Sequence, residues 1–471
     1  MNDGNAAERV IQDLRRAATA AVVGSRLPSV RDLTARHHAS PVTVAAAIRA
    51  LVREGVVEAR PGQGTYVAAR PGDHADPARG DLSWQTVALG ARRSGEEELQ
   101  ALLAVPPAGA IALSGGYLDP ELQPSAALGA ALARAARQPG AWLRGPAEGR
   151  AELRAWFARD LGLRADDMVI CPGGQAAIST TLRALAAPGD TLLVESPTYL
   201  GALAAARAAG LVVVPVPADA EGVRPDQLRA AFTRTGARLF YCQPLHANPT
   251  GATLAAHRRS EVLDAVREAG SFLIEDDYAR DLTIDGTAPP PLAAGDADGH
   301  VVYLRSLTKP AAPGLRIAAI GARGPAGARL RAARLLDDLF VSGPLQQAAL
   351  ELVTSPAWDR HRRALRRELR ARRDALLAAL RRHLPLHDGP VPDGGLHLWV
   401  RLDPDLDDTA VATAAAAHGV IVFPGRPWFA AEPPAPHLRL TYAASPPELM
   451  DEAVQRLKRA VEASASSRRA L

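Results

Sequence analysis

From about residue 109 onward the chain alternates short apolar runs with longer alanine-rich stretches at helical spacing, a pattern that commits it to a mostly parallel sheet covered on both faces. The strand-like runs are Met168–Cys171, Leu192–Glu195, Leu211–Val214, Leu239–Cys242, Phe272–Asp276, Val301–Leu304 and Ile317–Ile320. Seven such runs fit one large α/β domain, and in sheets of this kind chemistry gathers outside the carboxyl ends of the strands. Three later runs, Gly395–Val400, Val420–Phe423 and Leu438–Tyr442, alternate in character. They predict a smaller α+β subdomain from about residue 360, with an antiparallel sheet open on one face.

A length of 471 residues exceeds what one hydrophobic core organises, so a further domain is expected ahead of residue 109. No apolar run approaches the ~20 residues that span a bilayer, and the first residues lack a secretory pattern, which places the protein in the cytoplasm with no membrane partner. The two cysteines, Cys171 and Cys242, fall inside strand runs and have no metal-ligand spacing. Both read as small buried residues, and no metal is expected.

Charge is concentrated at the front. The net charge is +4 for the whole chain, and residues 1–70 carry all of it, leaving the remainder neutral. A small basic module ahead of a neutral body suits a nucleic-acid partner. Within it, Ser29 is placed to cap a helix containing Val30, Leu33 and His37, and Ser40 to cap a second helix with Pro41 at its first position. Val44, Ile48, Leu51 and Val52 form one apolar face of that second helix, which ends at Gly55. Two short strands, Val56–Ala59 and Thr65–Val67, then flank Arg60-Pro61-Gly62-Gln63-Gly64, whose glycines permit close approach to a phosphate. The prediction is a winged helix-turn-helix.

This region resembles the winged helix-turn-helix of the GntR family at Leu27–Leu33, Ser40–Val44, Glu54–Val56 and Gly62–Val67. The resemblance implies double-stranded DNA as partner, with Arg31, Ser40, Thr43, Arg49, Arg60 and Gln63 as the contacts, most of them positioning the head on phosphates. At Pro41 the family usually has arginine, so base preference or affinity is expected to differ here. A winged helix used for protein contacts is the alternative. Residues 71–108 then read as a linker broken by prolines and glycines, with an amphipathic turn around Leu99, Leu102 and Leu103.

Only two of the 55 basic residues are lysines, Lys309 and Lys458. Arginine can replace lysine as a charge but not as an amine that condenses with an aldehyde. Lys309 follows the Val301–Leu304 run and so stands at a strand end, whereas Lys458 reads as a surface residue. Other strand ends supply compatible groups. Gly174 and Gln175 open a helix after Cys171, a site for an anion. Ser306 and Arg316 lie close in sequence to Lys309 and add a hydroxyl and a guanidinium. Asp276 closes the Phe272–Asp276 run, Tyr278 follows it, Asn248 lies in an Asn-Pro-Thr-Gly segment, and Tyr199 offers an aromatic face.

In this order the motifs resemble fold-type I pyridoxal-phosphate enzymes of the aspartate aminotransferase class, over nearly all of residues 109–471. The resemblance implies pyridoxal 5′-phosphate as cofactor, Lys309 as the lysine joined to it, and Asp276 as partner of the pyridine nitrogen. It makes Asn248 and Tyr278 donors to the ring oxygen, Tyr199 a stacking face, and Gly174, Gln175, Ser306 and Arg316 a phosphate cup. Lys309, Asp276 and Tyr278 become the catalytic set, and Arg439 the clamp for a ligand carboxylate. Arg144 stands where the class has a tyrosine that reaches the neighbouring subunit's phosphate. Each residue has an ordinary alternative: Asp276 as a helix cap, Arg439 as a solvated strand residue, Asn248-Pro249 as a simple turn.

A GntR-type head, a linker and an aminotransferase-like body together resemble the MocR (GabR-like) regulators. That layout implies a homodimeric transcriptional regulator sensing an amino acid or amine by aldimine exchange at Lys309. The alternative is a working aminotransferase that carries a DNA-binding module, and Asn248 favours it, because regulators of this subfamily often have an aromatic residue there.

Overall fold

The computed structural model describes residues 3–20, 25–37, 39–60, 64–68, 84–85, 88, 96–386 and 389–469. The chain divides into two compact units, Met1–Arg92 and Arg93–Leu471.

In the first unit, α1 (Asp3–Ala20), α2 (Val30–His37) and α3 (Pro41–Arg53) precede a hairpin of β1 (Val57–Arg60) and β2 (Gly64–Val67). The strands pair antiparallel from Val57 opposite Val67 to Arg60 opposite Gly64. Ser40 caps α3 as expected, its hydroxyl accepting from the Thr43 amide at 3.1 Å, and Ser29 accepts likewise from the Asp32 amide at 3.2 Å. The apolar face of α3 differs by one position: Val44, Ala47, Ile48 and Leu51 are buried, while Val52 is exposed. Helix α1 was not among the expected elements. Its Val10, Leu14 and Ala18, four apart, complete this small core. Asp13 also ties α1 to α2, accepting from His37 at 2.9 Å and Arg36 at 3.2 Å, and these bonds hold its carboxyl below the usual range.

The second unit begins with α4 (Glu96–Leu103) and β3 (Ile111–Ala112), followed by helices α5 (Ser125–Ala135) and α6 (Ala151–Ala158). Strands β4 (Met168–Cys171), β5 (Thr191–Ser196), β6 (Val212–Asp219), β7 (Gly222–Val223), β8 (Leu239–Cys242), β9 (Phe272–Asp276), β10 (Val301–Ser306) and β11 (Ala318–Gly321) form one sheet. Among the described residues its order is β4-β11-β10-β9-β8-β5-β6-β7. All seven expected strands are present, and β7 adds a short antiparallel edge. Only β7 and β11 run against the rest, so β4, β5, β8, β9 and β10 deliver their carboxyl ends to one edge.

Alternation along the strands explains the two-sided burial. Leu193, Phe240, Leu273 and Tyr303 enter one core, and Leu192, Val194, Tyr241, Ile274 and Leu304 the other. Helices α7 (Gly174–Leu185) and α8 (Leu200–Ala208) follow β4 and β5 directly. Cys171 and Cys242 are buried and unpaired.

The long helix Pro356–His383 leads to a smaller layer built on β12 (His397–Arg401), β13 (Val420–Ile421), β14 (Phe423–Pro424) and β15 (His437–Thr441). β15 lies between β12 and β14, antiparallel to both. The run expected as one strand over residues 420–423 is split at Val422. Its first half pairs in parallel with β3, and its second half turns to β15. Among the described residues no helix is long and apolar enough to cross a membrane.

Candidate cofactor-binding site

Each strand end at the shared edge contributes a side chain to one cavity, lined by Tyr117, Gly174, Gln175, Ile178, Tyr199, Gln243, Asn248, Asp276, Tyr278, Ser306, Thr308, Lys309 and Arg316. Nine of these have roles expected from sequence, and Tyr117, Ile178, Gln243 and Thr308 do not.

Three successive acids leave β9, and only one faces the cavity. Glu275 accepts from the Leu292 and Ala293 amides at 2.8 and 2.9 Å. Asp277 accepts from Tyr303 at 2.7 Å and Arg280 at 2.6 Å. Asp276 accepts through Oδ2 from Tyr241 at 2.6 Å and from Gln243 Nε2 at 2.7 Å. Burial pushes its carboxyl up, and those two hydrogen bonds oppose the shift. Gln243 is itself fixed, because its side-chain oxygen accepts from the Asn248 amide at 2.9 Å.

At the other end, α7 starts without a side-chain cap, its first turn presenting free backbone N–H groups. Gly173 has φ 103°, and a Cβ there would lie 2.5 Å from an Arg316 guanidinium nitrogen, so glycine lets the arginine fold over the turn. Arg316 sits in the left-handed region at φ 52° and donates to the Pro172 carbonyl at 2.8 Å. Ser306 ends β10 beside Gly174, and the Thr308 hydroxyl is buried with no partner. A row of donors on a positive helix end, with one orphaned hydroxyl, fits a phosphate.

Lys309 lies between these ends. Its amine donates to the Gly116 carbonyl at 2.7 Å and sits 4.1 Å from the centroid of the Tyr117 ring. Burial, reinforced by Arg439 and Arg316, lowers its pKa to about 7. The amine is therefore substantially neutral near physiological pH, as an amine that attacks an aldehyde must be.

The remaining expected residues fall into three groups. Tyr199 forms a wall, its hydroxyl donating to Gln175 at 3.1 Å, while Gln175 donates to the Gly201 carbonyl at 2.7 Å. Tyr278 lines the cavity with its proton given to the His246 carbonyl at 2.6 Å. Arg439 is fully buried one layer behind the wall. It donates to Asn248 Oδ1 at 3.3 Å and to the Ser114 and Gly115 carbonyls, with its guanidinium 4.4 Å above the Trp428 ring. No acid pairs with Arg439 among the described residues, and burial lowers its pKa to about 9. Arg144 is exposed and away from this cavity in the single chain.

In the first unit Arg31, Ser40 and Arg49 are exposed and Thr43 partly so. Neither Arg31 nor Arg49 forms an ion pair among the described residues, although Arg31 lies close enough to Asp32 to help lower its carboxyl. Ser40 and Thr43 are also joined to each other, hydroxyl to hydroxyl, at 2.7 Å. Gln63 and the side chain of Arg60 lie outside the described residues.

The family model for aminotransferase class I and II matches residues 113–457. The chain belongs to this family. The model for bacterial regulatory proteins of the gntR family matches residues 3–67, so a gntR-type head precedes the aminotransferase body. This is the layout of MocR-type regulators. Relatives span both parts. YdfD of Bacillus subtilis, an uncharacterized HTH-type transcriptional regulator, is 27% identical over 92% of this chain and 91% of its own length. The vitamin B6 salvage pathway transcriptional repressor PtsJ of Salmonella typhimurium is 29% identical over 94% of this chain and 95% of its own. Among solved structures, the α-aminoadipate aminotransferase LysN of Thermus thermophilus, complexed with N-(5′-phosphopyridoxyl)-L-leucine, matches with a TM-score of 0.75 and 32% identity. It covers 82% of this chain and 100% of its own. Family and neighbour together assign pyridoxal phosphate as the cofactor of the body, and the donor set just described fits it.

Tyr241, Gln243 and Thr308 are the site residues that sequence reasoning passed over. Tyr241 sits at an inward strand position and reads as core. Gln243 carried a usable signal, a polar residue directly after a fully buried strand.

Proposed function

We propose that the protein is a DNA-binding transcriptional regulator whose aminotransferase-type body senses an amino acid or amine through pyridoxal phosphate held at Lys309. The observation that carries this reading is a helix-turn-helix head, with Arg31 and Arg49 exposed and in no ion pair among the described residues, on the same chain as a cavity lined by Lys309, Asp276 and Arg316. Residues 1–70 are taken as the head, 71–108 as the linker and 109–471 as the body.

The bound cofactor supplies an electrophilic aldehyde that exchanges one primary amine for another, on a ring that withdraws electrons when its nitrogen is protonated. Lys309 is the residue that would hold the aldehyde, and burial keeps its free amine largely unprotonated, so that it can serve there as nucleophile or base. Asp276 would hold the proton on the ring nitrogen, and the hydrogen bonds from Tyr241 and Gln243 favour its carboxylate form against burial. The α7 N-terminus, Ser306, Thr308 and Arg316 bind the phosphate. Tyr199 covers the ring, and Asn248 binds its oxygen, joined by Tyr278 once that hydroxyl turns from the His246 carbonyl. Arg439 takes the ligand's carboxylate: a buried guanidinium with only neutral partners gains most from an anion.

In a homodimer, Arg144 of each chain would serve the other chain's phosphate, and two heads would read two half-sites. A switch from 1:99 to 99:1 between DNA-binding arrangements needs about 5.5 kcal/mol of differential affinity for the ligand. A second reading, residual transamination, rests on the near-neutral Lys309 amine together with Asn248.

The test is binding of purified protein to the DNA upstream of its own gene, against a scrambled duplex. The account expects sequence-preferring affinity that falls steeply with salt. Equal affinity for both duplexes, with sustained keto-acid production from an amino acid, selects the enzyme.

A further inference from the structure

We propose that α4 is the output element of the ligand site, docking on or releasing from an apolar cluster that the ligand-binding side chains themselves support. The inference rests on the regulator reading and names its route.

Leu99 and Leu102 of α4 pack against a cluster whose buried members are Leu200, Phe423 and Trp428. One wall of the cavity and the arginine behind it bear on that cluster. Arg439 lies over it, with its guanidinium 4.4 Å from the Trp428 ring centroid and 5.6 Å from that of Phe423. Tyr199, at the start of α8, is the second. It packs on the same cluster with its ring centroid 6.5 Å from that of Trp428, and the neighbouring Thr198 amide donates to the Trp428 carbonyl at 2.9 Å. A carboxylate arriving at Arg439 competes for the donors now given to the Ser114 and Gly115 carbonyls, and so redirects the plane that rests on Trp428.

The receiving element is suited to two states. An eight-residue helix is not stable alone in water, so α4 depends on this docking for its helicity. Only part of its apolar surface is buried, Leu103 being 60% exposed, so the docked state is held by two side chains. The chain runs from α4 back through the linker to the DNA-binding unit. A change in docking alters how many residues of slack separate head from body, which is a physical route for coupling, unlike mere proximity.

The test uses full-length, cofactor-loaded protein, each of the twenty L-amino acids as probe, and the double variant Leu99→Ala/Leu102→Ala, neither residue touching the cavity. Ligand occupancy is read from cofactor absorbance, and DNA affinity is measured with and without the occupying amino acid. In the variant, the absorbance midpoint is expected to stay within about two-fold of wild type, while the ligand-induced change in DNA affinity, about five-fold or more in wild type, collapses toward none. A variant that keeps the full change overturns the proposal. A wild-type protein whose DNA affinity ignores every occupying amino acid contradicts the regulator reading instead. Hydrogen exchange then judges α4 separately: amide protection over residues 96–103 is expected to change on occupancy, and unchanged protection overturns the assignment.

Discussion

Tyr241 donates its hydroxyl to Asp276 at 2.6 Å from within the core of the sheet. Together with Gln243 it opposes the burial that pushes this carboxyl up, and so favours the carboxylate that a ring N–H needs. Tyr241→Phe removes one of the two supports and raises the Asp276 pKa further. Cofactor affinity, measured by absorbance titration, is expected to fall roughly tenfold, in line with a hydrogen bond to a charged group. The loss should grow as pH falls, because the protonated carboxyl cannot pair with the ring. A loss independent of pH would assign Tyr241 a packing role only.

Gly173 stands where both backbone and neighbour demand glycine, with φ 103° and Arg316 against its Cα. Gly173→Ala is expected to displace the Arg316 guanidinium and weaken cofactor retention on dialysis by tenfold or more, at a stability cost of about 1–3 kcal/mol in thermal melts. Retention equal to wild type would remove Arg316 from the phosphate cup.

The pKa of Lys309, lowered to about 7, gives a pH signature. Below that value the amine is protonated and inert toward aldehydes, and above it the free base dominates. Borohydride trapping of pyridoxal phosphate on the cofactor-free protein, located by peptide mass, is expected to rise through about pH 7 and level off. It should be absent in Lys309→Ala. A rise only near the ordinary lysine value would show an amine that is not desolvated.

Arg31 and Arg49 are exposed, and the regulator reading gives them to phosphates. Arg31→Ala and Arg49→Ala are each expected to weaken DNA binding on all sequences alike and to lower the salt slope by about one, with cofactor absorbance unchanged. A selective loss on one operator sequence would instead mark base contact.

Strand positions were readable because buried β-branched and leucine runs between helical stretches point to a mostly parallel sheet, while the order of strands within it was not. The loops were readable for a related reason. Glycine at 174, arginine at 316 and the isolated Lys309 are residue types that ordinary packing does not require. What escaped was the second layer. A core tyrosine such as Tyr241 looks the same whether it only packs or also supports a carboxylate. The split of residues 420–424 depends on β3, more than 300 residues earlier in the chain. Helix α1 was missed although Val10, Leu14 and Ala18 keep helical spacing, because polar residues separate them. Sequence placed Arg439 correctly on a strand, yet not one layer behind the cavity, since depth is set by Trp428 and Asn248 packing around it.

The most direct test compares wild type and Lys309→Ala, both supplied with cofactor, for binding to the DNA upstream of the gene with and without the amino acid that shifts the wild-type absorbance. The account predicts that the amino acid changes the wild-type DNA affinity by about five-fold or more and leaves the variant's unchanged. An equal response in both proteins, or none in a wild type whose site is demonstrably occupied, would contradict it.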